Sequence, residues 1–257
     1  MPRIALPGLS MYVEQAGQGT SVGTPLLLIP GALGTGRGDF PAQFEWFAGR
    51  GFAVIAPDPR GYGGSRPPER DYPLDFYERD AADMLALMAA LGHDRFAIMG
   101  WSDGANIATL MAAQKPQVVK KLVVFGGQSY LTAEEIAAFD AIRDIATWSA
   151  RTAEPMQAVY GDTLQGLWNR YVDGQAALLR AGGNLYRERL KDVRCPSFVL
   201  HGARDPLVPV FHAEAIHRGI AGSRLHIFPD GRHNIHIRYA DEFNALAHDF
   251  LTDGFGG

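Results

Sequence analysis

Six short apolar runs, "PLLLIPG", "FAVIAPD", "RFAIMGWS", "KLVVFGG", "PSFVLHG" and "RLHIFPDG", recur along the chain, each bounded by Gly, Pro or Asp. Runs of this length without alternation suit strands buried on both faces, as in a parallel sheet covered by helices. Between them lie segments of helical period, such as residues 75–91, where Phe76, Ala82, Leu85 and Met88 recur at helical spacing. The order predicts an α/β fold with a mostly parallel central sheet flanked by helices.

One stretch breaks the rhythm. Residues 128–190 are helical in pattern and rich in aromatics (Phe139, Trp148, Tyr160, Trp168, Tyr171), with no clear strand. We read it as a helical lid inserted into a core formed by residues 1–127 and 191–257; the alternative is two ordinary crossover helices with a long loop. The chain of 257 residues is long enough to bury a proper core. No internal repeat is visible, and the terminal "TDGFGG" is expected to fray.

Charge narrows the partners. A net charge of -4 without a lysine or arginine block argues against nucleic acid and anionic membranes. The N-terminal segment lacks the basic and apolar regions of a signal peptide, and "PLLLIP" is too short to span a bilayer, so a cytoplasmic protein is expected. The single cysteine, Cys195, has no partner for an internal disulfide and is expected to be a small buried apolar residue.

The chemistry centres on "GWSDGAN", residues 100–106, which follows a strand-like run and opens a helical one. That is the context of a nucleophile elbow, with Ser102 at a turn too tight for side chains at its flanking glycines. A serine hydroxyl needs a base, and the base needs an acid to fix its tautomer. In the chain order Ser, acid, His, "HGARDPLVP" supplies Asp205 after one late strand and "PDGRHNIH" supplies His233 after the next. Three rivals are weaker. Asp230 lies in a "PDG" turn, where an aspartate usually serves the backbone. His236 would fall inside the following helix, and His201 ends its strand as a hydrogen-bonded core residue. With no HExxH or CxxC pattern, a metal site is not expected.

An oxyanion hole requires two N–H groups. One is assigned to Asp103, the residue after the nucleophile. The other is assigned to the loop "PGALGTG", with Ala32 the first choice and Leu33 the alternative; these glycines would equally serve a simple turn. The Asp103 side chain is the anomaly, because a carboxylate beside an oxyanion hole opposes it. Either it gains roughly 0.3–1 kcal/mol from the dipole of the helix it begins, or the substrate carries a cation.

With these residues in this order the chain resembles the α/β-hydrolases. "DPRGYGGSRPPERDYPLDFYERDAADML", "GWSDGAN", "WSARTAEPMQAVYG" and "HGARDPLVPVFHAEAIH" resemble the valacyclovir hydrolase (biphenyl hydrolase-like) family in particular. So does "GSRLHIFPDGRHNIHIRYADEFNALAHDFL", and the likeness therefore spans lid and core. It implies cofactor-free hydrolysis of α-amino-acid esters by Ser102, His233 and Asp205, with Asp103 binding the substrate ammonium. Two departures stand out: the family's mammalian members carry an organelle-targeting extension not seen here, and the elbow helix begins "GAN" where a second glycine is usual. Other readings are a general carboxylesterase, a hydrolase of carbon–carbon bonds in dienoate ring-cleavage products, or a slow or non-catalytic receptor on the same fold. Asp103 would repel the carboxylate of a dienoate. The small-molecule ester is the only partner expected, and the sequence does not specify an oligomeric state.

Overall fold

The computed structural model describes residues 3–17 and 24–253; of the terminal "TDGFGG", residues 254–257 lie outside it. The apolar runs form the strands β3 (Thr24–Ile29), β4 (Phe52–Pro57), β5 (Phe96–Trp101), β6 (Val119–Phe125), β7 (Ser197–Gly202) and β8 (Arg224–Phe228). Ahead of them come β1 (Arg3–Leu6) and β2 (Leu9–Ala16), which the sequence reading did not identify. The eight strands make one sheet in the order β1-β2-β4-β3-β5-β6-β7-β8. Only the pairings β1/β2 and β2/β4 are antiparallel.

Burial on both faces explains the unbroken apolar runs. In β3, Leu27 and Ile29 point into one core layer and Leu26 and Leu28 into the other. The first layer is closed by α2 (Phe76–Ala90), α3 (Asp103–Gln114) and α7 (Phe211–Gly219); the second by α1 (Phe44–Ala48) and α9 (Ala240–Thr252). α8 (Ile235–Arg238) is a single turn preceding α9. No described helix is long and apolar enough to cross a membrane.

Residues 128–190 hold α4 (Ala133–Ala141), α5 (Ala150–Tyr160) and α6 (Leu164–Arg180) and contribute no strand to the sheet; an isolated bridge between Tyr130 and Asn184 joins the two ends of the segment to each other. Their aromatics Phe139, Tyr160, Trp168 and Tyr171 pack into a third apolar cluster that also takes in Leu33 and Tyr62 of the core. Several polar contacts tie this segment down, two of them at α5 and α4. The Tyr160 hydroxyl donates to the Leu33 carbonyl at 2.7 Å, and Glu135 meets His212 of α7 at 2.6 Å with both side chains fully buried.

Beneath the cluster, Arg70 and Asp80 form a bidentate pair at 2.8 and 2.6 Å, each 1% exposed. The guanidinium is enclosed by the rings of Tyr62, Tyr72 and Phe76. Removing one partner of such a pair strands a buried charge. Asp80→Ala is therefore expected to lose about 3–5 kcal/mol in urea unfolding, whereas the double replacement Arg70→Met with Asp80→Leu should lose much less. Equal losses in the two proteins would show that packing, not the stranded charge, carries the effect.

Candidate active site

Ser102 stands between the end of β5 and the first residue of α3 with φ 55° and ψ -121°. A left-handed φ is strained for a non-glycine residue and persists only where the surroundings enforce it. The enforcement comes from both sides. A Cβ on Gly100 would sit 2.3 Å from the Gly104 carbonyl oxygen, and one on Gly104 would sit 2.0 Å from that of Ile29. The strand and helix thus approach as closely as backbone allows, and Ser102 is pushed out at the apex.

The two late loops deliver their side chains to that apex. His233 Nε2 lies 3.1 Å from Ser102 Oγ, and His233 Nδ1 lies 2.7 Å from Asp205 Oδ2. The other oxygen of Asp205 accepts the backbone N–H groups of Leu207 and Val208 at 2.9 and 3.0 Å, which holds the carboxylate in place. The Trp101 indole donates to the His233 carbonyl at 3.1 Å and pins its backbone. Burial alone would lower the His233 pKa, but the charge and hydrogen bond of Asp205 outweigh it and leave the imidazole above the usual histidine range. Burial likewise works against the Asp205 carboxylate, and His233 reverses it, so that Asp205 lies below its usual range.

The rivals sit elsewhere. Asp230 forms an exposed ion pair with Arg204 at 2.8 Å. His236 is fully buried in α8 with Nε2 bound to the Asp39 carbonyl, and burial pushes its pKa down to about 3, so it stays neutral. His201 bonds the Val208 carbonyl at 2.8 Å and lies 3.7 Å from Asp205 Oδ2, flanking the carboxylate without reaching the serine. Cys195 is buried, and burial pushes its thiol up to about 11.

The glycine-rich loop after β3 faces Ser102 from the other side. Gly31 to Gly34 close a turn through an N–H···O=C bond of 3.1 Å, and Leu33 takes φ 61° within it. Asp39, which the sequence reading passed over, supports this turn by accepting the Gly31 N–H at 3.0 Å. Burial pushes the Asp39 carboxyl up to about 7, and the Gly31 bond only partly offsets it. A cavity of about 380 Å³ opens above, walled by Ala32, Leu33, Trp148, Trp168, Tyr171 and Leu207, with Ser102 and His233 at its base.

Asp103 is 5% exposed. Its Oδ1 accepts hydroxyls from Tyr77 of α2 at 2.6 Å and from Tyr171 of α6 at 3.0 Å. Gln175 in turn donates to the Tyr77 hydroxyl at 2.8 Å. Burial pushes the Asp103 carboxyl up to about 6 against the opposing effect of these hydroxyls and of Arg70. No described residue forms an ion pair with it. The tyrosine partners carried no local signal in the sequence, being 26 and 68 residues away.

Residues 24–167 match the family profile described as alpha/beta hydrolase fold. The chain is 45% identical to serine hydrolase BPHL of Homo sapiens over 251 residues, covering 97% of this chain and 85% of that protein. It is 26% identical to a 2-hydroxy-6-oxo-6-phenylhexa-2,4-dienoate hydrolase of Burkholderia cepacia, covering 97% of this chain and 93% of that one. Among solved structures, the meta-cleavage product hydrolase of Pseudomonas fluorescens superposes with a TM-score of 0.80 at 21% identity, covering 98% of each chain.

The electrostatics make one expectation independent of any substrate. In an NMR titration, His233 should titrate above the ordinary value of about 6.5. Asp205→Asn should bring it below the wild-type value, because burial then acts without its countercharge. An unchanged His233 pKa in that variant would remove Asp205 as the cause.

Proposed function

Because the chain belongs to the alpha/beta hydrolase family and to the serine hydrolases typified by BPHL, we propose that it hydrolyses α-amino-acid esters through an acyl-enzyme. Ser102 Oγ attacks the ester carbonyl while His233 Nε2 takes its proton. Asp205 holds the imidazole in the tautomer that presents a free Nε2 and stabilises the imidazolium. The carbonyl oxygen becomes the oxyanion of a tetrahedral intermediate. As this collapses, His233 returns the proton to the departing alcohol, leaving the acyl group on Ser102. Water, deprotonated by the same imidazole, then releases the acid.

For the oxyanion, the Asp103 N–H is free of helical bonding because it belongs to the first residue of α3. The second donor comes from the turn at residues 31–34. Ala32 is the sequence-based choice, but a positive φ at the third position of a turn is the type II signature, in which the peptide linking the two central residues is flipped. That flip turns out the Leu33 N–H, and its strain at a non-glycine residue favours Leu33 for the role.

One observation carries the substrate class: a carboxylate next to the nucleophile, buried, held by hydroxyls and paired with no described cation. An α-ammonium group would supply the missing charge and align the ester carbonyl with Ser102. A dienoate would bring a second anion, although the 26%-identical relative from Burkholderia cepacia is named for such a substrate.

Ser102→Ala should lower ester turnover by roughly 10⁴-fold or more with the fold intact. An active-site phosphonate that labelled another residue would reassign the nucleophile. Asp103→Asn, which keeps an acceptor for the two tyrosines, removes one partner of a desolvated charge pair worth about 2–5 kcal/mol. Its kcat/KM for a valine ester should fall by roughly 30-fold to a few thousandfold, while the des-amino ester is hydrolysed as well as before or better. In the wild type the valine ester alone should lose activity as its ammonium deprotonates near pH ~8 or somewhat below. Equal losses on both esters would make Asp103 a structural residue.

A further inference from the structure

The catalytic cycle requires the departing alcohol to receive its proton from His233 Nε2, so the alcohol oxygen must lie within hydrogen-bond reach of that atom. The alcohol therefore extends along the His233 side of the cavity. There the structure holds a second hollow of about 380 Å³, which shares Ser149, Thr152, Pro206, His233 and Asn234 with the first. Its remaining wall includes three arginines: Arg151 of α5, Arg232 of the loop after β8, and Arg238 of α8.

These arginines differ from others of the chain. Arg60, Arg143, Arg204 and Arg224 each meet an aspartate at 2.7 to 3.0 Å. Arg151, Arg232 and Arg238 form no ion pair with any described residue. The carboxylate nearest Arg232 in sequence, Asp230, is already taken by Arg204, and neither Glu154, three residues from Arg151, nor Asp241, three from Arg238, forms an ion pair with its neighbouring arginine. Three guanidinium groups without an ion-pair partner among the described residues thus line one hollow, in a chain of net charge -4. Each presents a planar fork that fits two oxygens of a carboxylate or phosphate.

We propose that the hollow lined by Arg151, Arg232 and Arg238 is a leaving-group subsite for alcohols that carry an anion, a carboxylate or a phosphate, two or more bonds beyond the ester oxygen. The proposal rests on the reading of His233 as the group that protonates the alcohol, and not on the role of Asp103. Taken together with that role, it defines a dipolar substrate, cationic in its acyl half and anionic in its alcohol half.

The test uses three valine esters whose alcohols are 4-(hydroxymethyl)benzoate, 4-(hydroxymethyl)phenyl phosphate and the neutral 4-methylbenzyl alcohol. Three solvent-exposed charge pairs should together raise kcat/KM for the anionic esters about 5- to 30-fold over the neutral one at low ionic strength. The ratio should shrink as salt is added. In the triple variant R151Q/R232Q/R238Q it should fall to about one, and the triple lysine variant should restore part of it. A larger ratio for the phosphate assigns the subsite to phosphorylated alcohols; equal ratios assign it to anions in general. The same three alcohols presented as butyrates give the same ranking even if the amino-acid preference fails, which separates the two readings. A wild-type ratio of one or below, or a ratio that survives in the glutamine variant, overturns the proposal.

Discussion

Everything at this site depends on one backbone conformation, the left-handed turn that carries Ser102 from β5 into α3. It is unfavourable by itself and is held by the sheet on one side and the helix on the other. Because β5 lies near the middle of the sheet, paired with β3 and β6, the strain is borne by strands buried on both faces. The loop of residues 31–34 leaves from β3, immediately beside it. Asp205 and His233 arrive from the ends of β7 and β8 further along the same edge. The parallel order of the strands is thus what brings four distant segments to one rim.

Around that rim the charges are sorted. Asp103 is sunk among tyrosine hydroxyls, Asp205 is bound by backbone N–H groups and His233, and the unpaired arginines stand at the opening beyond the imidazole. Burial weakens the ionised form of each carboxylate, and the partners decide the outcome. Asp205, with an imidazole and two N–H donors, ends below its usual range. Asp103, with hydroxyls and a more distant guanidinium, is left near 6, and Asp39, bound to one N–H, near 7.

The parts of this arrangement that the sequence made legible are those carried by local pattern. The parallel strands announced themselves as unbroken apolar runs, and the elbow through glycines that have no room for a side chain. Chain order placed Asp205 and His233 on successive loops. β1 and β2 escaped notice because they pair antiparallel at the sheet margin, where β2 buries only Leu9, Met11 and Val13 on alternate positions. The support of Asp103 by Tyr77 and Tyr171, and of the 31–34 turn by Asp39, is a matter of tertiary approach. An aspartate in a glycine-rich loop reads as an ordinary turn residue, and nothing in a helical tyrosine says which carboxylate it will meet. The proposed preference for Leu33 over Ala32 likewise rests on a dihedral angle that residue type does not specify.

The hydroxyl of Tyr160 reaches from α5 to the carbonyl of Leu33 and also accepts the Gly63 N–H at 3.2 Å. It is a latch as well as a packing group. The C-terminal end of α5 is therefore fixed to the residue that takes the positive φ in the 31–34 turn, so a displacement of that helix end and a change in the turn are mechanically linked. Residues 128–190 are thus more than a cover laid over a finished site: through one phenol they share a mechanical joint with the loop that faces Ser102.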